Sequence, residues 1–152
     1  VKQVGAGFGI REFDAADTDA VVALWESCGL TRPWNDPRAD IARKLRVQPE
    51  LFLVAESAAG ADGSAGTVIG SVMAGYDGHR GWLYYLASAP ERRGEGVGRA
   101  LVAEAERRLV AMGCPKVQLM VRTENDAVVA FYDGLGYEVS DVLVSGKRLI
   151  QD

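Results

Sequence analysis

Histidine is nearly missing from this chain of 152 residues: there is one, His79, beside two cysteines, Cys28 and Cys114. With no short Cys or His spacing, a zinc centre built from those ligands is all but excluded, and no metal is expected. The same scarcity rules against a disulfide framework, so both thiols are expected as small core residues in a reducing compartment. Positive charge is not in excess either. Seventeen Lys and Arg against 21 Asp and Glu give a formal net charge of −4, which argues against a broad grip on nucleic acid or an anionic membrane. No run approaches the roughly 18 apolar residues of a membrane span. Val1 to Gly9 has one lysine and no long apolar segment, unlike a secretory signal. The expected location is the cytoplasm, with neither nucleic acid nor membrane as a partner.

What the chain does have is an ordinary globular composition, 48% hydrophobic and 25% charged. Its length implies one domain over residues 1–152, able to bury about two-thirds of its unfolded surface.

Ile10 to Phe13 alternates like a first strand. Asp17-Thr18-Asp19 offers a helix N-cap, with Val21, Leu24, Trp25 and Cys28 on one face and Gly29 as the stop. Leu30 to Pro37 is loop chemistry. Asp36-Pro37 then predicts a second helix, with Ile41 and Leu45 buried and Arg38, Arg43, Lys44 and Arg46 solvated. Leu51–Ala55 and Thr67–Tyr76 read as strands around the Gly-, Ala- and Ser-rich loop Ser57–Gly66. Gly70 and Gly75 mark bulges or bends, and Asp77–Gly81 is a tight turn into the strand Trp82–Ser88. Beyond Pro90 and a glycine-rich loop, Val97, Leu101, Ala105, Leu109 and Met112 form one helical stripe stopped by Gly113. Lys116–Val121 alternates as a strand, Asn125-Asp126 caps a helix through Leu135, and Tyr137–Ile150 is long enough for one or two last strands. The fold class is α+β, a mixed and mainly antiparallel sheet flanked by helices.

Arg93-Gly94-Glu95-Gly96-Val97-Gly98-Arg99 joins a strand to a helix. Glycines let the backbone approach a ligand, and the free amides at the helix start, with the dipole behind them, suit a phosphate or pyrophosphate. A plain chain-reversing turn is the alternative, but strand, loop, helix and flanking arginines agree better with an anion site. The dinucleotide pattern G-x-G-x-x-G fails, and so does the Walker pattern. R-x-x-G-x-G fits, on Arg93, Gly96 and Gly98. This resembles the acyl-CoA loop of the GNAT N-acetyltransferases, and Asn125 to Tyr132 with Leu135-Gly136-Tyr137 resembles the family's second signature. Arg32–Pro37, Gly75–Gly81, Gly113–Lys116 and Gly146–Ile150 are similar to the YpeA-type bacterial subgroup.

The resemblance implies a GNAT-like sheet with a splayed central strand pair, acetyl-CoA as donor co-substrate, and acetyl transfer to a primary amine by direct attack in a ternary complex. It implies that Leu86, Ala87 and Ser88 pair with the pantetheine arm, an amide there steadying the oxyanion. The amides of Gly94, Glu95, Gly96, Val97, Gly98 and Arg99, beside Arg93, would hold the pyrophosphate. Asn125 would reach the pantetheine, or serve as an N-cap, or both. Tyr132 is the candidate proton donor to the leaving thiolate, with packing as its alternative role and Phe131 on the core side. Two positions that commonly carry a basic carboxylate hold Trp82 and Met120 here. That leaves a water chain, an amine that arrives neutral, or another residue as the base, with Tyr84, Glu124, Asp77 and His79 as the candidates. Arg32, Trp34, Asn35, Asp36, Tyr76, Asp77, His79 and Tyr84, with Arg80 nearby, are the candidate acceptor wall, although Trp34 is also read as covering the core. The acceptor is a small amine or a protein amine, and the chain a monomer or homodimer. The apolar Trp82 and Met120 leave one functional alternative, an acyl-CoA sensor of the same fold without turnover.

Overall fold

A computed structural model describes residues 2–4 and 7–152. Val1, Gly5 and Ala6 lie outside the described residues, and with them part of the stretch read as lacking a secretory signal. The elements run β1 (Lys2–Val4), β2 (Phe8–Glu12), α1 (Thr18–Ser27), α2 (Pro37–Lys44), β3 (Phe52–Ser57), β4 (Val68–Tyr76), β5 (Gly81–Ser88), α3 (Val97–Ala111), β6 (Val117–Gln118) and α4 (Asp126–Asp133). All six strands form one sheet in chain order. The pairs from β1 to β5 are antiparallel, and β6 lies parallel to β5. The expected mixed, mainly antiparallel α+β architecture is the one found, with β1 as a short strand the sequence reading did not assign.

Local chemistry explains the helix starts. Asp14 accepts from Ala16 N while Asp17 returns a bond to Asp14 N, so the capping box lies one short 3-10 turn ahead of α1. Asp36 accepts from Arg38 N at 2.8 Å with Pro37 in the first turn of α2. The buried stripe of α2 differs from the expected one. Leu45 is exposed and Lys44 is buried, because the helix ends at Lys44 and its inward face runs Ile41–Lys44, at i and i+3.

As expected, a bulge adjoins Gly70: Ile69 is an extra residue between the pairs Glu56–Val68 and Ala55–Gly70. A Cβ on Gly70 would stand 2.6 Å from Val97 Cγ1 and 2.9 Å from Leu101 Cδ1, so its bare backbone is what lets α3 lie directly on the sheet. Val97, Leu101, Ala105 and Leu109 fill that layer as expected, but Met112, at the helix end, is exposed. On the other face Trp25 is fully buried, stacked on Tyr85 at 3.8 Å between ring centroids. Its Nε1 donates to Ser71 Oγ at 2.8 Å, and Ser71 Oγ donates to Tyr85 O at 2.9 Å.

A further bulge, in the β4–β5 pair, lies at that point. Ser71 pairs with Ala87 and Met73 with Tyr84, so Val72 faces two residues, Tyr85 and Leu86, and Tyr85 is driven to φ +50°. Two late strands are shorter than expected or missing. Lys116–Val121 contributes only Val117–Gln118, and residues 138–152 form no strand among the described residues. A strand needs a neighbour's edge, and a two-residue β6 offers almost none. Val139, Val142, Leu143, Val144, Leu149 and Ile150 are accordingly exposed, and Asp152 is tied back to α2 through Arg43 at 3.0 Å.

Ser71→Ala strands the buried Trp25 N–H and costs about 1–3 kcal/mol. Urea unfolding measures it. Adding Trp25→Phe removes the stranded donor as well, so the double variant loses less than the sum of the two single losses.

Candidate active site

Among the described residues no side chain caps the start of α3. Its N-cap is Gly96 at φ +82°, and Gly94 is also left-handed at φ +87°. An L side chain held there strains the backbone by about 1–2 kcal/mol. A Cβ at either position meets nothing within 4 Å, so these glycines serve the path of the chain and leave open space before the helix. The first amides of α3 have no acceptor within the helix. Arg93 and Arg99 are exposed and, among the described residues, join no ion pair or hydrogen bond, whereas Arg92 is tied to Glu95. Two free guanidinium groups therefore flank an uncapped helix start.

The loop follows directly from β5. β5 and β6 share only the pairs Gly81–Val117 and Trp82–Gln118. Beyond them, from Leu83 to Ser88, the outer edge of β5 has no strand beside it among the described residues. The parting of β5 from β6 lies at the last pair of the sheet among the described residues. Leu86 and Ser88 are half-buried and Ala87 is buried on this open stretch, and Ser88 O accepts from Cys28 Sγ at 3.3 Å.

α4 closes over the loop. Asn125 caps it, accepting from Val128 N at 3.3 Å. Phe131 is not the core residue of this helix. Its Cζ stands 3.3 Å from where a Cβ on Gly98 would lie, half-buried over the glycine loop, while Tyr132 is the buried one. The Tyr132 ring meets Phe131 and Tyr137 edge-on, with centroids 5.1 and 5.3 Å away. Its hydroxyl has no hydrogen-bond partner among the described residues, and burial pushes the phenol up to about 12.

The residues expected to form the acceptor wall scatter. Arg32 donates to Gly29 O and Thr31 O. Trp34 is 59% exposed and covers no core, since the loop carries it outward between Pro33 and the α2 cap. Asp36 is the α2 cap. Asp77 accepts from His79 N and Arg80 N and closes the turn, which leaves His79 and Arg80 on the surface side of that turn. The Tyr76 hydroxyl lies 3.3 Å from Gly78 O. Glu124 is exposed beside Thr123. Trp82 stacks on Tyr84, and Met120 is exposed. Tyr84 lines a cleft of about 250 Å3 between α2 and the β4–β5 pair, together with Asp40, Lys44, Met73 and Gly75. Asn35 joins a network: its Nδ2 donates to Asp40 Oδ2 at 2.6 Å and to Tyr85 Oη at 3.0 Å, and Tyr85 Oη donates to Asp40 Oδ2 at 2.6 Å. Among the described residues no group of His, Cys, Asp or Glu is arranged to hold a metal.

Residues 16–137 match the acetyltransferase (GNAT) family. The chain belongs to that family. It is an N-acetyltransferase. It is 54% identical over 144 residues to acetyltransferase SG1711 of Sodalis glossinidius, covering 94% of this chain and 96% of that one. Against acetyltransferase ECA0875 of Pectobacterium atrosepticum the identity is 53% over 143 residues, with the same coverage. In three dimensions it resembles Ard1 from Thermoplasma volcanium, with a TM-score of 0.75, 28% identity and coverage of 89% of this chain and 85% of that one. A likeness in fold alone, at 19% identity and a TM-score of 0.71, links it to AAC(6')-Iy in complex with the bisubstrate analogue CoA-S-monomethyl-acetylneamine, covering 95% of this chain and 100% of that one.

Within this GNAT chain, sequence reasoning missed Asp40, Arg43 and Tyr85. Burial alone would raise the Asp40 carboxyl, but bonds from Tyr85, Arg43 and Asn35 outweigh it and hold the carboxyl below its ordinary value. Tyr85 is pushed up by burial and by Asp40. A carboxyl depressed in the folded state stabilises above its unfolded pKa, about 3.9, and that contribution disappears as pH falls through the lower folded value. The acid limb of a pH–stability curve, followed by urea unfolding from pH 6 to pH 2, is therefore shallower in Asp40→Asn than in the parent.

Proposed function

We propose that the chain transfers an acetyl group from acetyl-CoA to a primary amine by direct attack in a ternary complex. The observation that carries this is the uncapped α3 start, with its two left-handed glycines and unpaired Arg93 and Arg99 directly after the open edge of β5. In this reading the amides from Gly94 to Arg99 hold the pyrophosphate, with the helix dipole and the two arginines balancing its charge. The β5 edge from Leu86 to Ser88 pairs with the pantetheine amides, and a backbone N–H there donates to the thioester oxygen as negative charge develops on it. Asn125 keeps its amide nitrogen free to donate toward the pantetheine, because its oxygen is the one committed to the α4 cap.

Tyr132 is the proton donor. A phenol raised to about 12 stays protonated at any working pH. It hydrogen-bonds the departing sulfur as the carbon–sulfur bond breaks and yields its proton to the thiolate; a proton released by the amine restores the phenol through solvent. We assign no side chain as the base. Trp82 and Met120 are apolar, and Asp77 is occupied by the amides of its own turn. The attacking amine thus enters neutral and, once the carbon–nitrogen bond has formed, gives up one proton to water. Two free thiols suit action in the cytoplasm, with acetyl-CoA and an amine as the partners.

Release of free thiol from acetyl-CoA against a panel of primary amines tests the reaction itself, and no turnover with any of them would sink it. Gly96→Val abolishes acetyl-CoA binding, measured by calorimetry, since a β-branched residue cannot hold φ near +82° without distorting the loop. A folded Gly96→Val that binds normally would reduce the loop to a turn.

Tyr132→Phe lowers kcat by about 10²–10⁴-fold, the worth of a positioned general acid. Acetyl-CoA affinity stays within about twofold, because the ring and its edge contacts remain. With no hydrogen-bond partner to lose among the described residues, thermal unfolding shifts by less than about 1.5 kcal/mol. Unchanged turnover would return Tyr132 to packing.

A further inference from the structure

Lys44 stands apart from every other cation near the site. It is only 8% exposed, and among the described residues its ammonium has no hydrogen bond or ion pair. Its Nζ lies against β4, 3.9 Å from where a Cβ on Gly75 would be. Gln48, which follows α2 and also lies against Gly75, is occupied: its Nε2 donates to Tyr76 O at 2.9 Å and its Oε1 accepts from Tyr76 N at 2.8 Å. Glu50 attracts the ammonium only from a distance, and burial outweighs that attraction, drawing the Lys44 pKa down. Since no buried side-chain nitrogen or oxygen lacks a partner among the described residues, it is the stem that is buried, and the ammonium meets solvent at the cleft.

The cleft it faces is of limited size and uneven chemistry. Its volume is about 250 Å3, and Val47, Met73, Ala74 and Gly75 supply a mainly apolar lining. That is below the roughly 300–1,000 Å3 of drug-sized sites, so it takes a small fragment. Arg43 also borders the cleft, but it is already neutralised by Asp40 at 2.7 Å and by Asp152 at 3.0 Å. Asp40 also lines the cleft, and the charges there balance in number, Lys44 and Arg43 against Asp40 and Asp152, so Lys44 is the one cation of the lining without a partner among the described residues, and a single contact of that kind suits a monoanion better than a phosphate dianion.

We propose that this cleft binds the carboxylate of the acceptor, on the Lys44 ammonium, so that the substrates are amines carrying a carboxylate. The inference rests on the reading of the chain as an acetyl-CoA-dependent enzyme and narrows its acceptor class. Lys44 lies at Gly75, which pairs with Trp82, and the part of the open β5 edge assigned to the pantetheine begins at Leu86. At about 3.3 Å per strand residue, less one residue for the bulge and the length of the ammonium–carboxylate contact, the amine and carboxylate are about 7–10 Å apart.

The test uses the whole chain with butyrate as the probe and its uncharged isostere butyramide as the control, at constant ionic strength. Amide resonances of Met73, Ala74 and Gly75, followed by NMR, shift saturably with butyrate and do not with butyramide. Lys44→Met, which keeps the length and packing of the stem, weakens the butyrate response by about tenfold or more, the worth of a charge-assisted contact. Lys44→Gln does the same, which guards against an effect of Met packing alone. Butyrate also competes with whichever amine the panel shows to turn over and does not compete with acetyl-CoA. A response that fails to saturate, that butyramide reproduces, or that survives both variants overturns the proposal. So does acetylation of Lys44 itself on incubation with acetyl-CoA alone, read by mass spectrometry, since that would make the ammonium a target and not an anchor. Acetyl-CoA binding is measured separately by calorimetry; its failure would strike the donor reading and leave the butyrate result standing.

Discussion

Ser71 Oγ accepts from Trp25 and donates to the carbonyl of Tyr85, and through those two bonds one hydroxyl fastens α1 to the irregular centre of the β4–β5 pair. The irregularity matters more than the bonds. With Val72 opposite two residues, Tyr84 and Tyr85 both turn toward the helices of one face, although neighbours in a regular strand point to opposite faces. Tyr84 thereby reaches the cleft beside Lys44, and Tyr85 stacks on Trp25 and reaches Asp40 on α2. A left-handed, non-glycine residue at φ +50° costs of order 1–3 kcal/mol. It persists here because stacking, the Ser71 bond and the Asp40–Asn35 network all fix the same tyrosine.

The sheet also separates two sides. Gly70 faces α3, against Val97 and Leu101, while Gly75, at odd spacing from it on the same strand, faces Lys44 and Gln48. The glycine loop therefore opens at the head of α3, whereas the cleft opens under α2. The open edge of β5 runs between them. A chain of net charge −4 meets both sides with a few placed cations instead of a general field: Arg93 and Arg99 at the helix start, Lys44 in the cleft. Most other arginines near the site are spent on carboxylates, as Arg43 is on Asp40 and Asp152.

Much of this was legible in the residues. The glycine loop, the α3 stripe, the Asp36 cap and the Asp77 turn each rest on local chemistry, and each is where the sequence pattern predicts it. What escaped depends on contacts distant in the chain. Lys44 reads as a solvated cation until Gly75 provides a bare patch of strand for its stem to lie on. Asp40 and Tyr85 are 45 residues apart, and nothing in the spacing of Asn35, Asp40 and Arg43 announces a tyrosine partner. One signal was present: Tyr84 and Tyr85 in succession break the alternation of a half-buried strand, and a bulge is the physical way to place both on one face. The strands expected in 137–150 failed for a different reason. Period-two hydrophobicity describes a segment's readiness to pair, and pairing also requires an edge that the two residues of β6 do not provide.

The last link is the contact between Gly98 and Phe131. Gly98 has no left-handed conformation to explain it, yet a Cβ there would press on the Phe131 ring at 3.3 Å. The ring thus seats α4 on the second residue of α3, next to the amides assigned to the pyrophosphate. Tyr132 follows Phe131 by one residue and points about 100° further around the helix, into the core. A displacement of the glycine loop would consequently be felt at Tyr132 through one aromatic contact, with no hydrogen bond of its own hydroxyl among the described residues to resist it. The loop assigned to the donor and the phenol assigned to its leaving sulfur are positioned by the same piece of packing, so in that assignment the bare backbone at Gly98 matters as much to the chemistry as to the fold.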